Sequence, residues 1–336
     1  MPTLSTKLAR KKAGNRKSKV PPMPAVSVIV PVFNAEAFLD KCLESLTGQT
    51  LSDLEILCVD DCSSDNSLAH LKSWSAKDSR VKVLAFTENQ GPSAARNAAL
   101  DSAQGEFVGF VDCDDFVDTD FFEKLYMAAT AEKADVAKGT LMNYDLKKGT
   151  SYLREIFNLN YRIRQHKAWF FMTYTSAIYR TEMLRCYGIR FNPDLRFFED
   201  PHFSIMAAFH YDKVAIVDDA CYYYTDNPGS VTRKDNTTRP IQDLINGAND
   251  LLDKMDALQI DDKHYNIVFS FLIDQFAGWF QKYYAPDAVT GLAASGFSGI
   301  IHRCRDLQAC MSEYLFFRKE TDRKNLIRQI KKDLHG

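Results

Sequence analysis

"VSVIVPVF", residues 26–33, is an unbroken apolar run rich in β-branched side chains. Such a run marks a strand covered on both faces, as in parallel sheets sandwiched between helices. The segments around it agree. In "AEAFLDKCLESLTGQ" (35–49), Phe38, Leu39, Cys42, Leu43 and Leu46 share one helical face. "LEILCVDD" (54–61) reads as a second strand, "SSDNS" (63–67) as the cap of a helix over about 66–77, and "VKVLAF" (81–86) as a third strand. "GPSAARNAALDSA" (91–103) is a helix with Pro92 near its start. "FVGFV" (107–111) is a fourth strand, "DTDFFEKLYMAATAEK" (118–133) a helix and "ADVAKGTLMNY" (134–144) a fifth strand. Strand and helix alternating at this period predict an α/β fold: a mostly parallel sheet with helices on both faces.

Beyond residue 150 the alternation fades. "WFFMTYTSAIYR" (169–180) and "KVAIVDDACYYYTDNPGSVTR" (213–233) read as strands added to the same sheet, with a helix opened by Asp200 and Pro201 between them. Residues 239–336 are helical in pattern. The expected organisation is a basic arm over 1–24, a catalytic domain over 25–238 and a C-terminal helical region over 239–336. The domain divides into a nucleotide-binding half (25–145) and an acceptor half (146–238).

The chain has 336 residues, 46% of them hydrophobic, enough for a large core. A net charge of −2 gives no overall field for nucleic acid. The charge is uneven: residues 1–35 hold no acid but carry Lys7, Arg10, Lys11, Lys12, Arg16, Lys17 and Lys19. The tail places Leu326, Ile327, Ile330 and Leu334 on one helical face opposite Arg and Lys. Arm and tail together suit peripheral contact with an anionic membrane; a solvated arm beside a docked terminal helix is the competing reading. Eight scattered cysteines form no CxxC pair, and no apolar run reaches membrane-spanning length. A reducing cytoplasm is the expected location, with the inner face of the membrane within reach of the arm.

In open α/β sheets, ligands bind beyond the carboxyl ends of the strands. Here those ends carry acids: Asp60 and Asp61 after the second strand, and Asp112, Asp114 and Asp115 after the fourth. Packed carboxylates repel and are costly to bury, unless they hold a hard cation such as Mg²⁺ or Mn²⁺. "DCDDFVDTDFFE" (112–123) has EF-hand-like acids, but Phe116 and Val117 stand where an oxygen ligand and a glycine are needed. The acids also suit turns and helix caps.

Taken together, "VSVIVPVFN", "EILCVDDCSSDNS", "NQGPSAARNAAL", "FVGFVDCDD", "FFEDPHFS" and "YYYTDNPGSVTR" resemble the family 2 glycosyltransferases, in family order over about residues 25–235. The resemblance implies the GT-A fold and inverting transfer of a sugar from a nucleotide-diphosphate donor, with UDP the expected nucleotide, to a hydroxyl of a glycan or lipid-linked acceptor. The nearest members build bacterial surface polysaccharide and lipopolysaccharide. It implies roles residue by residue. Pro31, Phe33 and Asn34 cradle the nucleoside, and Asp61 meets the base edge. Gly91 and Arg96 flank the diphosphate. Asp112 contacts ribose or donor sugar and shares the metal with its direct ligand, Asp114. Asp200 is the base, with Glu199 beside it, its amino-terminal place on a helix lowering its pKa. Ser230, with Arg233, closes over the diphosphate. His202 is a weak further candidate.

There are departures. Phe33 stands where Tyr is common, and Cys62 where Gly is frequent. The Gln-x-x-Arg-Trp signature of processive synthases is missing, which favours addition of a single sugar. Two other functions compete. A nucleotidyltransferase would need a Gly-rich basic loop after strand one, where "PVFNAEAF" (31–38) has neither. An inactive, membrane-associated nucleotide-sugar-binding module would not need the full set of acids.

Overall fold

The structure is a computed structural model, and it describes residues 23–153, 173–227, 239–283, 299–300 and 302–306. The basic arm, the tail, Ser230 and Arg233 lie outside the described residues.

Strands β1 (Val26–Val32), β2 (Leu54–Asp60), β3 (Val81–Ala85) and β4 (Phe107–Phe110) pair in parallel in the order β3-β2-β1-β4. Helices α1 (Leu39–Thr47), α2 (Ser67–Lys77) and α3 (Pro92–Ser102) connect them. All seven residues of β1 are buried. Val28, Val30 and Val32 face one core, shared with Leu39, Cys42 and Leu43 of α1. Ile29 faces the other, shared with Ala95 and Ala99 of α3. A strand buried on both faces has no room for polar alternation, which is why its sequence reads as one apolar block.

The parallel arrangement stops at β4. Strand β8 (Ala177–Arg180) inserts antiparallel to β4 and to β6 (Val136–Asp145). Strand β9 (Val214–Thr225) runs parallel to β6 with a register irregularity between Lys138 and Thr140. The short β5 (Phe116–Val117) and the β7 strand (Thr150–Leu153) add antiparallel edges. The α/β architecture is as expected, but beyond the first four strands the sheet is mixed: β8, β5 and β7 pair antiparallel and only β6 and β9 pair in parallel. Helix α4 (Phe121–Glu132) covers one face.

On the other face lie α5 (Thr181–Cys186), α6 (Glu199–Ala208), α7 (Arg239–Ala257) and α8 (Asp262–Tyr283). Leu244, Leu251 and Leu252 of α7 share a core with Phe203 of α6 and Phe110 of β4. The first helices of the C-terminal region therefore pack into the same core as the sheet. Among the described residues no helix is long and apolar enough to cross a membrane.

Candidate active site

The sheet register brings the acids together. Val32 is level with Asp60, and Asp61 N–H donates to the Val32 carbonyl at 2.8 Å. Ile29 is level with Phe110, and Val111 N–H donates to the Ile29 carbonyl at 3.0 Å. The 33–36, 61–67 and 112–115 segments thus leave the same edge.

The loops there are tied to one another. Asn34, at φ 49°, donates its N–H to Ser63 Oγ at 3.0 Å, and its Oδ1 accepts from Ser64 N–H at 2.8 Å. Phe33 beside it is 48% exposed, an apolar surface open to a stacked ring. Pro31 is still within β1. Cys62 sits at φ 59°, the left-handed region, which accounts for the family's usual glycine there. Asp61 is buried and accepts from Gln90 N–H (2.7 Å), Gly91 N–H (2.8 Å) and Asn89 Nδ2 (3.0 Å). Gly91, at φ 88°, makes that turn possible and opens α3. Asp61 therefore holds the 89–91 turn, a duty that sequence did not reveal.

The three acids after β4 differ sharply. Asp115 is inward and structural: its Oδ2 accepts from Tyr222 Oη at 2.6 Å and its Oδ1 from Thr225 N–H at 2.7 Å. Burial, then Asp114 and Asp112, push its pKa well up. Tyr222 Oη also accepts from Asp112 N–H at 3.1 Å, so one hydroxyl locks both ends of the acidic loop to β9. Asp112 Oδ1 accepts from Arg96 Nη2 at 2.9 Å and Tyr174 Oη at 2.8 Å. Asp114 Oδ2 accepts from Asn227 Nδ2 at 3.0 Å, and burial raises its pKa. An acid-rich loop ends this strand, then, because one acid folds the loop and two remain at the rim.

Arg96 is buried, its guanidinium over the rings of Tyr174 and Phe191. Burial opposes its charge, but Tyr174, Asp112, Asp200 and Glu199 outweigh it, and its pKa is well raised. Glu199 and Asp200 begin α6, directly after Phe198 in the left-handed region at φ 72°. Phe198, not Asp200, is the N-cap residue, so a capping role does not explain Asp200. Asp200 Oδ1 is sealed from solvent and has no hydrogen-bond partner. The expected lowering of its pKa is corrected here: burial raises it to about 7, with Arg96 pulling it down and Asp112 pushing it up. Desolvation wins over the helix terminus because the carboxyl takes no hydrogen bond from that terminus. Burial, then Asp200, pushes Glu199 well up.

His202 is not part of this group. Its Nε2 meets Asp250 Oδ2 at 2.6 Å, tying α6 to α7. Sequence reasoning missed Tyr174, Tyr222, Thr225, Asn227 and Asn89. Tyr222, Thr225 and Asn227 lie within "YYYTDNPGSVTR" and Asn89 opens "NQGPSAARNAAL", but neither stretch shows which residue meets which acid, and Tyr174 lies in no such stretch.

A doubly covered α/β sheet with paired acids at the ends of its second and fourth strands, and a half-buried acid pair beside them, is the arrangement expected of the GT-A class. Residues 27–188 match the family described as Glycosyl transferase family 2. The domain over these residues is a family 2 glycosyltransferase domain. Similar proteins include the uncharacterized glycosyltransferase EpsJ of Bacillus subtilis, 31% identical over 220 residues, covering 62% of this chain and 63% of EpsJ. The poly(ribitol-phosphate) β-N-acetylglucosaminyltransferase TarS of Staphylococcus aureus is 30% identical over 211 residues, covering 60% of this chain and 35% of TarS. Each match covers less than two thirds of the relative's length. The crystal structure of TarS residues 1–349 in complex with UDP-GlcNAc superposes with a TM-score of 0.68 at 21% identity, covering 92% of this chain and 91% of that one.

Proposed function

We propose that the protein is an inverting, metal-dependent glycosyltransferase. It moves a single sugar from a UDP-sugar to a hydroxyl of a glycan or lipid-linked acceptor, in the synthesis of cell-surface polysaccharide or lipopolysaccharide. The observation that carries this reading is the half-buried Asp200, whose Oδ1 is sealed and unpartnered, beside the Arg96–Asp112 pair. Such a group, with a pKa of about 7, is suited to exchange a proton near neutrality. The names of TarS and of a Bacillus spizizenii poly(ribitol-phosphate) β-glucosyltransferase support a cell-wall glycan setting.

The donor's base and ribose would lie across Phe33, Asn34 and Asp61, and its diphosphate toward Arg96, Asp112 and Asp114. A divalent cation fits this rim chemically. Asp114 takes one side-chain hydrogen bond, and burial makes its charge costly without a cation. Among the described residues no three His, Cys, Asp or Glu form a metal cluster. One or two carboxylates completed by phosphate and water is the usual Mg²⁺ arrangement. Mn²⁺ or Mg²⁺, held by Asp114 with Asp112, would supply charge neutralisation for the departing diphosphate. Asp200 takes the proton of the acceptor hydroxyl as its oxygen bonds to the anomeric carbon and the bond from that carbon to the diphosphate breaks. Burial pushes Glu199 toward its neutral form, which favours the pairing of Arg96 with Asp112. The basic arm and the tail suit contact with anionic lipid, which flotation of the full chain with anionic vesicles at low and high salt would test.

Calorimetry of UDP binding with Mn²⁺ and with chelator tests the donor reading. Binding that requires the ion, and that loses this requirement in Asp114→Ala, is expected. Equal affinity in chelator would remove the metal from the proposal. A panel of nucleotide sugars, assayed for metal-dependent hydrolysis, identifies the donor.

A further inference from the structure

Beside this site, a cleft of about 250 Å³ opens between the start of α3 and the 193–196 segment. Gly91, Pro92 and Ser93 form one wall, Leu195 and Arg196 the other, and Arg239 of α7 stands at the edge. No acidic side chain lines it. We infer that this cleft binds a phosphate group carried by the acceptor. The inference rests on the proposed transferase reading and assigns the acceptor a chemical class: a phosphate-bearing sugar or polyol.

Several features are independent of one another. The first N–H groups of a helix lack intrahelical partners, and Pro92 at the first position leaves Ser93 and Ala94 to present them. Ser93 is only 3% exposed, yet its Oγ has no hydrogen-bond partner. A buried hydroxyl left unpaired is costly, and Ser93 lines the cleft, where an anion could partner it. Arg196 is exposed, and its guanidinium has no acid partner among the described residues. Its backbone, by contrast, is fixed. Buried Asp243 Oδ2 accepts from Arg196 N–H at 2.7 Å and Phe197 N–H at 3.1 Å, while Asp243 Oδ1 meets Arg239 Nε at 2.7 Å. Arg239 Nη2 also donates to the Asp194 carbonyl at 2.9 Å. One buried carboxylate thus spends its charge on holding both cationic residues at the cleft.

The position favours the acceptor over the donor. In the proposed function the donor's phosphates lie toward Arg96, Asp112 and Asp114, and Gly91, expected beside them, has its N–H taken by Asp61 and gives the cleft only its backbone turn. The cleft's outer wall runs within four residues from Arg196 to Asp200, the group that receives the acceptor's proton. An acceptor anchored here by phosphate would present a neighbouring hydroxyl to that carboxylate, and the anchoring would lower its orientational freedom.

The test uses the full chain, with glycerol 3-phosphate as the probe, at fixed ionic strength, with and without saturating UDP and Mn²⁺, and with glycerol as the neutral control. Glycerol 3-phosphate is expected to bind in both conditions, and Arg196→Glu to weaken it at least ~10-fold while leaving UDP affinity unchanged. Ser93→Ala is expected to weaken it several-fold while holding or raising Tm, because it removes a buried unpaired group; a purely structural serine would lower Tm instead. Replacing the probe with glycerophosphoglycerol tells an internal phosphodiester from a terminal phosphate. Displacement of the probe by UDP would make the cleft part of the donor site and overturn the inference. So would equal binding by Arg196→Glu, or no binding by the wild-type chain. Failure of UDP to bind, with Arg196-dependent phosphate binding retained, would instead sink the donor reading and leave the anion site standing.

Discussion

Arg96 joins two acids that the sequence holds far apart: its Nη2 donates to Asp112 Oδ1 at 2.9 Å, and its Nη1 lies 3.9 Å from Glu199 Oε1. Its Nε and Nη1 are buried without hydrogen-bond partners. The guanidinium therefore acts mainly as a fixed charge, held flat by Tyr174 and Phe191, between the acidic rim and the α6 acids.

Arg96→Gln removes that charge. Arg96 holds the Asp200 pKa down, so its loss moves that pKa further up from about 7. The acid limb of the pH profile of kcat/KM is expected to shift to higher pH, and the rate at pH 7 to fall ~10²-fold or more. An unshifted limb would show that Arg96 does not act on the base.

Asp200→Asn separates catalysis from folding. Loss of the proton acceptor is expected to slow transfer at least ~10²-fold with donor affinity unchanged. The effect on stability has the opposite sign. The folded pKa is raised from 3.8 to about 7, so the stability that the protonated carboxyl gives below pH 4 is lost as pH rises toward 7. The amide cannot ionise, so Tm at pH 8 should rise relative to wild type, with little difference at pH 4. A lower Tm at pH 8 and normal transfer would leave Asp200 a structural residue, and Glu199 would be the next to replace.

Tyr222→Phe deletes one hydroxyl that serves Asp115 Oδ2 and Asp112 N–H together. Two buried groups lose a partner, and a cost of about 1–3 kcal/mol is expected in chemical denaturation. UDP affinity in Mn²⁺ should fall with it, because the loop carrying Asp112 and Asp114 loosens. Full UDP affinity would show that Thr225 alone holds the loop.

Gly247→Ala reaches the base from behind. A Cβ at Gly247 would stand 2.7 Å from Phe198 Cδ1 and 3.1 Å from Leu195 Cδ1. Phe198 is buried and its ring packs against Phe271, so it has little room to give way. Displacing it moves the start of α6 and Asp200. Transfer is expected to fall ~10-fold or more with UDP affinity intact, and stability by about 1–3 kcal/mol. Unchanged kcat would show that α6 tolerates the shift.

The first four strands and the helices between them could be read from the chain because each is specified locally. Residues 26–32 are buried on both faces and therefore apolar throughout, and α1 shows its inward face as Leu39, Cys42, Leu43 and Leu46. The acids Asp61, Asp112 and Asp114 stood out for a related reason: charge at the end of a buried strand calls for a partner. The division of labour among them was not. Asp115 looks like Asp114 in sequence, and only contact with Tyr222 and Thr225, more than a hundred residues later, makes it structural.

What the sequence alone determined is the alternation of strand and helix, and the set of polar residues at the strand ends. Both follow from short-range patterns of burial and turn chemistry. Tertiary structure decided the antiparallel insertion of β8, the role of each acid and the ionisation of Asp200. A helix amino end in isolation would lower that carboxyl's pKa, and the chain around Asp200 suggests no more than that. Its burial is set by elements distant in sequence, and desolvation depends on what surrounds a charge rather than on what neighbours it along the chain.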